Sequence, residues 1–197
     1  MQFVAFEPGI EVNGQTVWSV VDAFDHFKAI PSRILIAAGV GVAGPDGVVK
    51  IDAAGWYSQE AWLRAFERIA TEVGEAKLLA IGLRIPTNAK FPPGIDTIED
   101  AVASIDVAYH MNHRKQGKVM FAGPGTKMLE GIGHYGYEKI GPREIRSVCD
   151  NPYPCAFDRG ILTTMARRFE RSAQVEHDET HGCRKRGAEA CTYLVRW

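Results

Sequence analysis

The sequence predicts an α+β domain in which helices pack on an antiparallel sheet built from two C-terminal hairpins. Three observations carry that expectation. Apolar residues recur at helical spacing through the first part of the chain; after Gly117 short strand-like runs replace them; and the order helices, hairpin, helix, hairpin lacks the regular alternation of a parallel doubly wound sheet.

Residues 16–28 place Val17, Val20, Val21, Phe24 and Phe27 at helical spacing behind Thr16 as a cap. Pro31 opens a second short helix, since its missing N–H is not needed in a first turn, and Gly39, Gly41, Gly44 and the Pro45-Asp46-Gly47 turn then break the chain. Residues 56–73 form the strongest amphipathic segment, with Trp62, Phe66, Ile69 and Val73 on one stripe, Ser58 as cap and Gly74 as terminator. A helix from Glu75 ends at Pro86. Thr97 and Asp100 have the sense of a capping box, before Ile98, Val102, Ile105 and Tyr109 at helical spacing. Residues 118–123, 133–140 and 143–150 read as strands, the last two joined at Gly141-Pro142; Pro154 starts a helix through Arg168, and 173–181 with 190–197 form the final strand pair.

At 197 residues and roughly 150 per domain, the chain is expected to be one domain, 56–197, carrying an N-terminal helical extension, 1–55, packed on its core. Apolar residues at 46% and charged residues at 24% exclude disordered and collagenous classes. A net charge of −1 supplies no basic field for nucleic acid or anionic membrane. The longest nearly uninterrupted apolar run, 34–44, is broken by three glycines and is short of the roughly 20 residues of a bilayer span. No secretory signal is legible in the first residues, so cytoplasm is the expected location.

The four cysteines are Cys149, Cys155, Cys183 and Cys191, all in the last 49 residues. A hairpin brings Cys183 and Cys191 towards each other, and Cys155 begins a helix able to dock beside them. Three thiolates and one further donor make a tetrahedral zinc site that ties helix to sheet. His181 is the nearest imidazole, and His177 and Glu179 share its face if strand alternation holds. The alternatives are buried apolar thiols, a disulfide or redox pair, or a reactive Cys155 activated by its helix N-terminus.

Asp106, His110 and His113 share a helix face at i, i+4 and i+7, the spacing of a rival metal site and also of plain surface pairing. Trp62, Phe66, Tyr109, His110, His134 and Tyr135 are candidates to line a ligand pocket between helices and sheet, as core packing also explains. The run Gly123-Pro124-Gly125-Thr126-Lys127 lacks the order of a phosphate loop. Arg184-Lys185-Arg186 reads as a solvated hairpin tip.

The pattern from Cys183 through Gly187, Cys191 and Tyr193 to Val195, after Asn151-Pro-Tyr-Pro-Cys155, resembles the end of the 4-vinyl reductase domain family. That family belongs with TRAPP subunits and haem–NO-binding domains. The resemblance spans 56–197 in element order and is most specific in 151–197. It implies a non-catalytic sensor or scaffold for a small hydrophobic or aromatic molecule, acting as a homodimer or with a signalling partner. It also implies a structural zinc held by Cys155, Cys183, Cys191 and a glutamate whose position Thr180 occupies here, leaving His181, His177 or Glu179 as the fourth ligand, with His181 the expected one. Haem ranks below zinc, with His110, His113 or His134 as axial ligand. The competing classes are an enzyme, using Cys155 or the Asp106/His110/His113 site, and a protein–protein adaptor without small ligand.

Overall fold

The computed structural model describes residues 1–197 as an α+β fold with two four-stranded antiparallel sheets. Strand β1 (Ile10–Asn13) leads into helices α1 (Gly14–Asp22) and α2 (Ala29–Ala38), then a two-stranded ribbon, β2 (Val42–Ala43) and β3 (Val49–Lys50). Strand β4 (Trp56–Ser58) precedes α3 (Gln59–Glu72), α4 (Glu75–Asn88) and α5 (Ile98–Met111), followed by β5 (His113–Lys115) and β6 (Lys118–Val119). The C-terminal part is β7 (Glu138–Gly141), β8 (Glu144–Cys149), α6 (Cys155–Arg167), β9 (Gln174–Asp178), a 3-10 turn (Glu179–His181) and β10 (Cys191–Arg196).

Local chemistry accounts for the helix starts. Ser58 accepts from the Ala61 N–H, and Thr97 and Asp100 exchange both bonds of the capping box. The cap of α1 is Asn13, whose side chain accepts from Gln15, and not Thr16, which is buried and bonded to Asn112. Helix α4 continues two residues past Pro86, because a proline in the last turn breaks only the end of the ladder.

The two predicted hairpins form one sheet, ordered β7-β8-β10-β9. Strand β10 pairs Cys191 with Cys149 on one side and Tyr193 with His177 on the other. Of the other sheet, β4-β1-β5-β6, the sequence marks only β6, inside the expected strand 118–123, which stops at Val119. Within it β1 sits between β4 and β5, so residues 1–55 complete a sheet as well as pack on the core. One cluster of 42 buried residues runs from Ile10 to Val195, a single core for the whole chain.

Helices α4 and α6 touch backbone to backbone at Gly82 and Gly160. A Cβ on Gly82 would lie 2.1 Å from the Phe157 carbonyl oxygen, and one on Gly160 would lie 2.5 Å from that of Leu79. This close approach seats Phe157, Asp158 and Ile161 of α6 inside the core and leaves Cys155, at the helix start, beside β10. No helix is long and apolar enough to cross a membrane.

Candidate functional site: an apolar cavity beside a thiol corner

A cavity of about 40 Å³ lies among α1, α3, α4, α5 and α6. Its wall is largely apolar and includes Trp62, Ile85, Tyr109, Tyr135, Tyr153 and Phe157. Of the residues predicted for a pocket, Trp62, Tyr109 and Tyr135 line it. Phe66 packs behind the wall, its ring 4.7 Å from Trp62 and 4.9 Å from Phe157, while His110 and His134 face elsewhere.

The cavity's polar groups have partners. Asn112 accepts from Thr16 and the Lys90 N–H and donates to the carbonyls of Lys90 and Ala108. His113, which belongs to β5 and not to the helix face, has Nδ1 2.7 Å from the Tyr109 carbonyl and Nε2 2.8 Å from the Tyr153 hydroxyl. A carbonyl only accepts, so Nδ1 carries the proton and Nε2 accepts from Tyr153. Burial pushes the imidazole pKa down to about 3, which keeps it neutral. Tyr109 donates to the Ile132 carbonyl and Tyr135 to Asp158, at 2.7 and 2.6 Å.

On the other side of α6, the thiols of Cys155, Cys183 and Cys191 meet. Cys155 Sγ is 3.3 Å from that of Cys183 and 3.2 Å from that of Cys191, and the last two are 3.9 Å apart. These are too long for disulfides, which need roughly 2.05 Å. They approach the roughly 3.8 Å edge of a tetrahedron with 2.3 Å bonds to its centre. His177 completes the group, one donor atom from each residue lying within 4.8 Å of the rest. Its ring stacks on Tyr193 across the strand pair, and its buried Nε2 has no hydrogen-bond partner.

His181 is not part of the group. The chain leaves β9 at Asp178, and the 3-10 turn breaks the alternation that would have kept His181 on the face of His177. His181 is exposed instead and bonds Asp178. Glu179 is drawn off by Arg186. Cys149, across from Cys191, stays outside as a buried thiol.

The sulfurs share their charge unequally. The Cys155 S–H and Arg184 donate to Cys191 and hold its thiol well below the ordinary range; that neighbouring thiolate, together with burial, pushes Cys155 up. The corner opens on a cleft of about 880 Å³ edged by Arg159, Lys185 and Arg186.

Arg184 is the largest departure from the hairpin-tip expectation. Lys185 and Arg186 are exposed, but Arg184 is 1% exposed and reaches inward to Asp158 and the Asn151 carbonyl. Burial pushes the Asp158 carboxyl up to about 6, and Arg184 limits the rise, leaving it ionised at neutral pH. Asp158 thereby joins the cavity, through Tyr135, to the thiol corner, through Arg184. A charged residue inside a charged run carries no sequence signal of burial, and neither did the spacing of Tyr153 or Asp158.

The rival Asp106/His110/His113 arrangement is also revised. His113 turns into the core, whereas His134, from the segment before β7, stands beside Asp106 and His110.

No family model and no curated protein matches the chain. Among solved structures it is similar to H-NOX proteins. The Fe(II)NO form from S. oneidensis is 15% identical, with 93% of this chain and 98% of that chain covered and a TM-score of 0.59. The Fe(II)CO form from Shewanella oneidensis is 16% identical over 93% and 97%, also at 0.59. The unliganded Fe(II) form from K. algicida is 13% identical over 93% and 95%, at 0.57. At these identities the likeness establishes a shared fold. It corrects the resemblance to the 4-vinyl reductase family: the fold neighbours are H-NOX domains, and a match over 93% of the chain extends into residues 1–55, which the resemblance left unassigned.

Proposed function

We propose that this chain is a non-catalytic ligand-responsive domain that takes a gas-sized, apolar molecule in the cavity between α5 and α6 and is stabilised by zinc at Cys155, His177, Cys183 and Cys191. The observation that carries this reading is the cavity itself: an apolar wall with satisfied polar groups, on the fold of proteins described in Fe(II), NO and CO ligation states.

The haem implied by those proteins does not fit the residues here. A cavity of about 40 Å³ falls far below the roughly 300–1,000 Å³ of cofactor sites. Its one imidazole, His113, has both ring nitrogens engaged, and neither Lys nor Arg lines it to meet two propionates. The volume also falls below the roughly 150 Å³ that accepts benzene, so the expected aromatic ligand is replaced by something smaller.

Zinc fits its corner on two counts, the spacing of the three thiols and the orphaned Nε2 of His177. Four protein ligands close such a site, so zinc there ties the start of α6 to β9 and β10 and offers no open position for catalysis.

The test is xenon-129 NMR on wild type and Ala108→Leu, with metal content measured alongside. Saturable xenon binding abolished by the leucine, about one zinc per chain lost in Cys191→Ser, and no haem absorption after expression with a haem precursor are the expected results. Xenon signals identical in the two proteins, or stoichiometric haem, would overturn the ligand reading; zinc retained in Cys191→Ser would overturn the metal reading.

A further inference from the structure

The geometry points to a second metal site, independent of the thiol corner, formed by Asp106, His110 and His134 and suited to a borderline divalent cation such as Fe²⁺, Co²⁺ or Ni²⁺. One ring nitrogen from each imidazole and one carboxylate oxygen lie within 4.8 Å of one another. Two imidazoles and a carboxylate are the donor set that such ions favour over Mg²⁺ or Ca²⁺.

His110 supplies the independent observation. It is 0% exposed, and its Nδ1 lies 2.8 Å from the Asp106 main-chain oxygen, one helical turn back. That carbonyl fixes the proton on Nδ1 and leaves Nε2 as a lone pair; Nε2 is buried and has no partner. The Nδ1 that bonds this carbonyl also lies 3.7 Å from Asp106 Oδ1, and the unpartnered Nε2 is the nitrogen left with a lone pair for a cation. His113, three residues on, makes the same Nδ1 bond but fills its Nε2 with the Tyr153 hydroxyl, so the vacancy at His110 is not a necessity of this helix end.

The other donors are set around it. The His134 ring is 5.1 Å from that of His110, and its Nδ1 lies 3.2 Å from both carboxylate oxygens of Asp106. Its Nε2 contacts Glu130 at 3.0 Å, a carboxylate in position to orient it. The Asp106 carboxylate also accepts from the Tyr135 N–H at 2.9 Å, which fixes its direction. His134 is 38% exposed on its side chain, so solvent reaches the group and a cation held there would keep water in its remaining positions. The occupied site would clamp the segment carrying His134 and Tyr135 to α5, and Tyr135 is part of the cavity wall.

The experiment is a Co²⁺ titration of protein carrying one equivalent of zinc, followed by visible absorption, for wild type, His134→Ala and His134→Gln. Circular dichroism serves as the fold check. One cobalt per chain with weak d–d bands of nitrogen and oxygen ligation, and at least a tenfold loss of affinity in both variants, is the expected result. No cobalt binding by wild type, or affinity unchanged in the folded variants, overturns the site. An intense thiolate-to-cobalt band without the weak bands also overturns it, and separately reports that zinc failed to hold the thiol corner.

Discussion

The cavity and the thiol corner lie on opposite sides of one helix, α6, and treat their polar atoms in opposite ways. Around the cavity, Asn112, His113, Tyr109 and Tyr135 each find a protein partner, and the small space left is apolar. At the corner three thiols crowd one another and His177 keeps an unpaired nitrogen. Unpaired buried donors and acceptors are costly unless something fills them. The difference therefore separates a region whose polar atoms are paired within the protein from one that leaves a buried nitrogen unpaired. Between them stands the buried pair Asp158–Arg184, which touches both.

Breaking that connection carries the largest expected effect. Asp158→Ala strands the Arg184 guanidinium and costs about 3–5 kcal/mol, which lowers Tm by about 6–20 °C at 2–4 °C per kcal/mol. Calorimetry checks it. A well-packed double replacement, Asp158→Leu with Arg184→Met, recovers most of the loss, because removing both charges removes the desolvation cost as well. If the single variant is as stable as wild type, the two regions are not coupled through this pair.

The next effect belongs to the cavity side. The pKa of His113 is about 3 when folded, below its ordinary value of 6.5, so below pH 6.5 the unfolded chain binds a proton that the folded chain refuses. Stability falls as pH drops from about 6.5 towards 3, by up to about 1.4 kcal/mol per pH unit. Asp158 acts oppositely between about 6 and its ordinary 3.8, since its folded pKa is raised. The measurement is therefore the difference between wild type and His113→Gln in urea midpoints from pH 7 to 4.5, where the Asp158 contribution cancels. A constant difference across that range would show that His113 titrates freely.

The same contrast explains which parts of the molecule were legible in the sequence. Signals within a turn or hairpin were readable: the Ser58 cap, the Thr97–Asp100 box, the Gly141-Pro142 turn, and the three cysteines on a helix start and a hairpin. The sheet β4-β1-β5-β6 was not, because its strands are two to four residues long, too short for a period, and β1 finds β5 about a hundred residues away. The fourth corner residue turned on one 3-10 turn, which keeps His177 and discards His181. His134 beside Asp106, and Arg184 in the core, depend on tertiary packing that charge patterns do not encode.

The smallest effect sharpens the comparison at the third cluster, which shares features of both regions. Burial pushes the His134 pKa down, but hydrogen bonds to Asp106 and Glu130 outweigh it, and the folded imidazole titrates above its ordinary value. With a raised pKa its contribution is fully present below about pH 6.5 and is lost as pH rises through the folded value. In metal-free protein, the Tm difference between wild type and His134→Ala should therefore be greatest near pH 6 and shrink by pH 8.5. A divalent cation reverses the sign, since it binds the neutral imidazole and competes with the proton. With saturating Co²⁺ the difference should grow from pH 6 to 8. The same slope with and without cobalt would leave Asp106, His134 and Glu130 as an ion-pair network and nothing more.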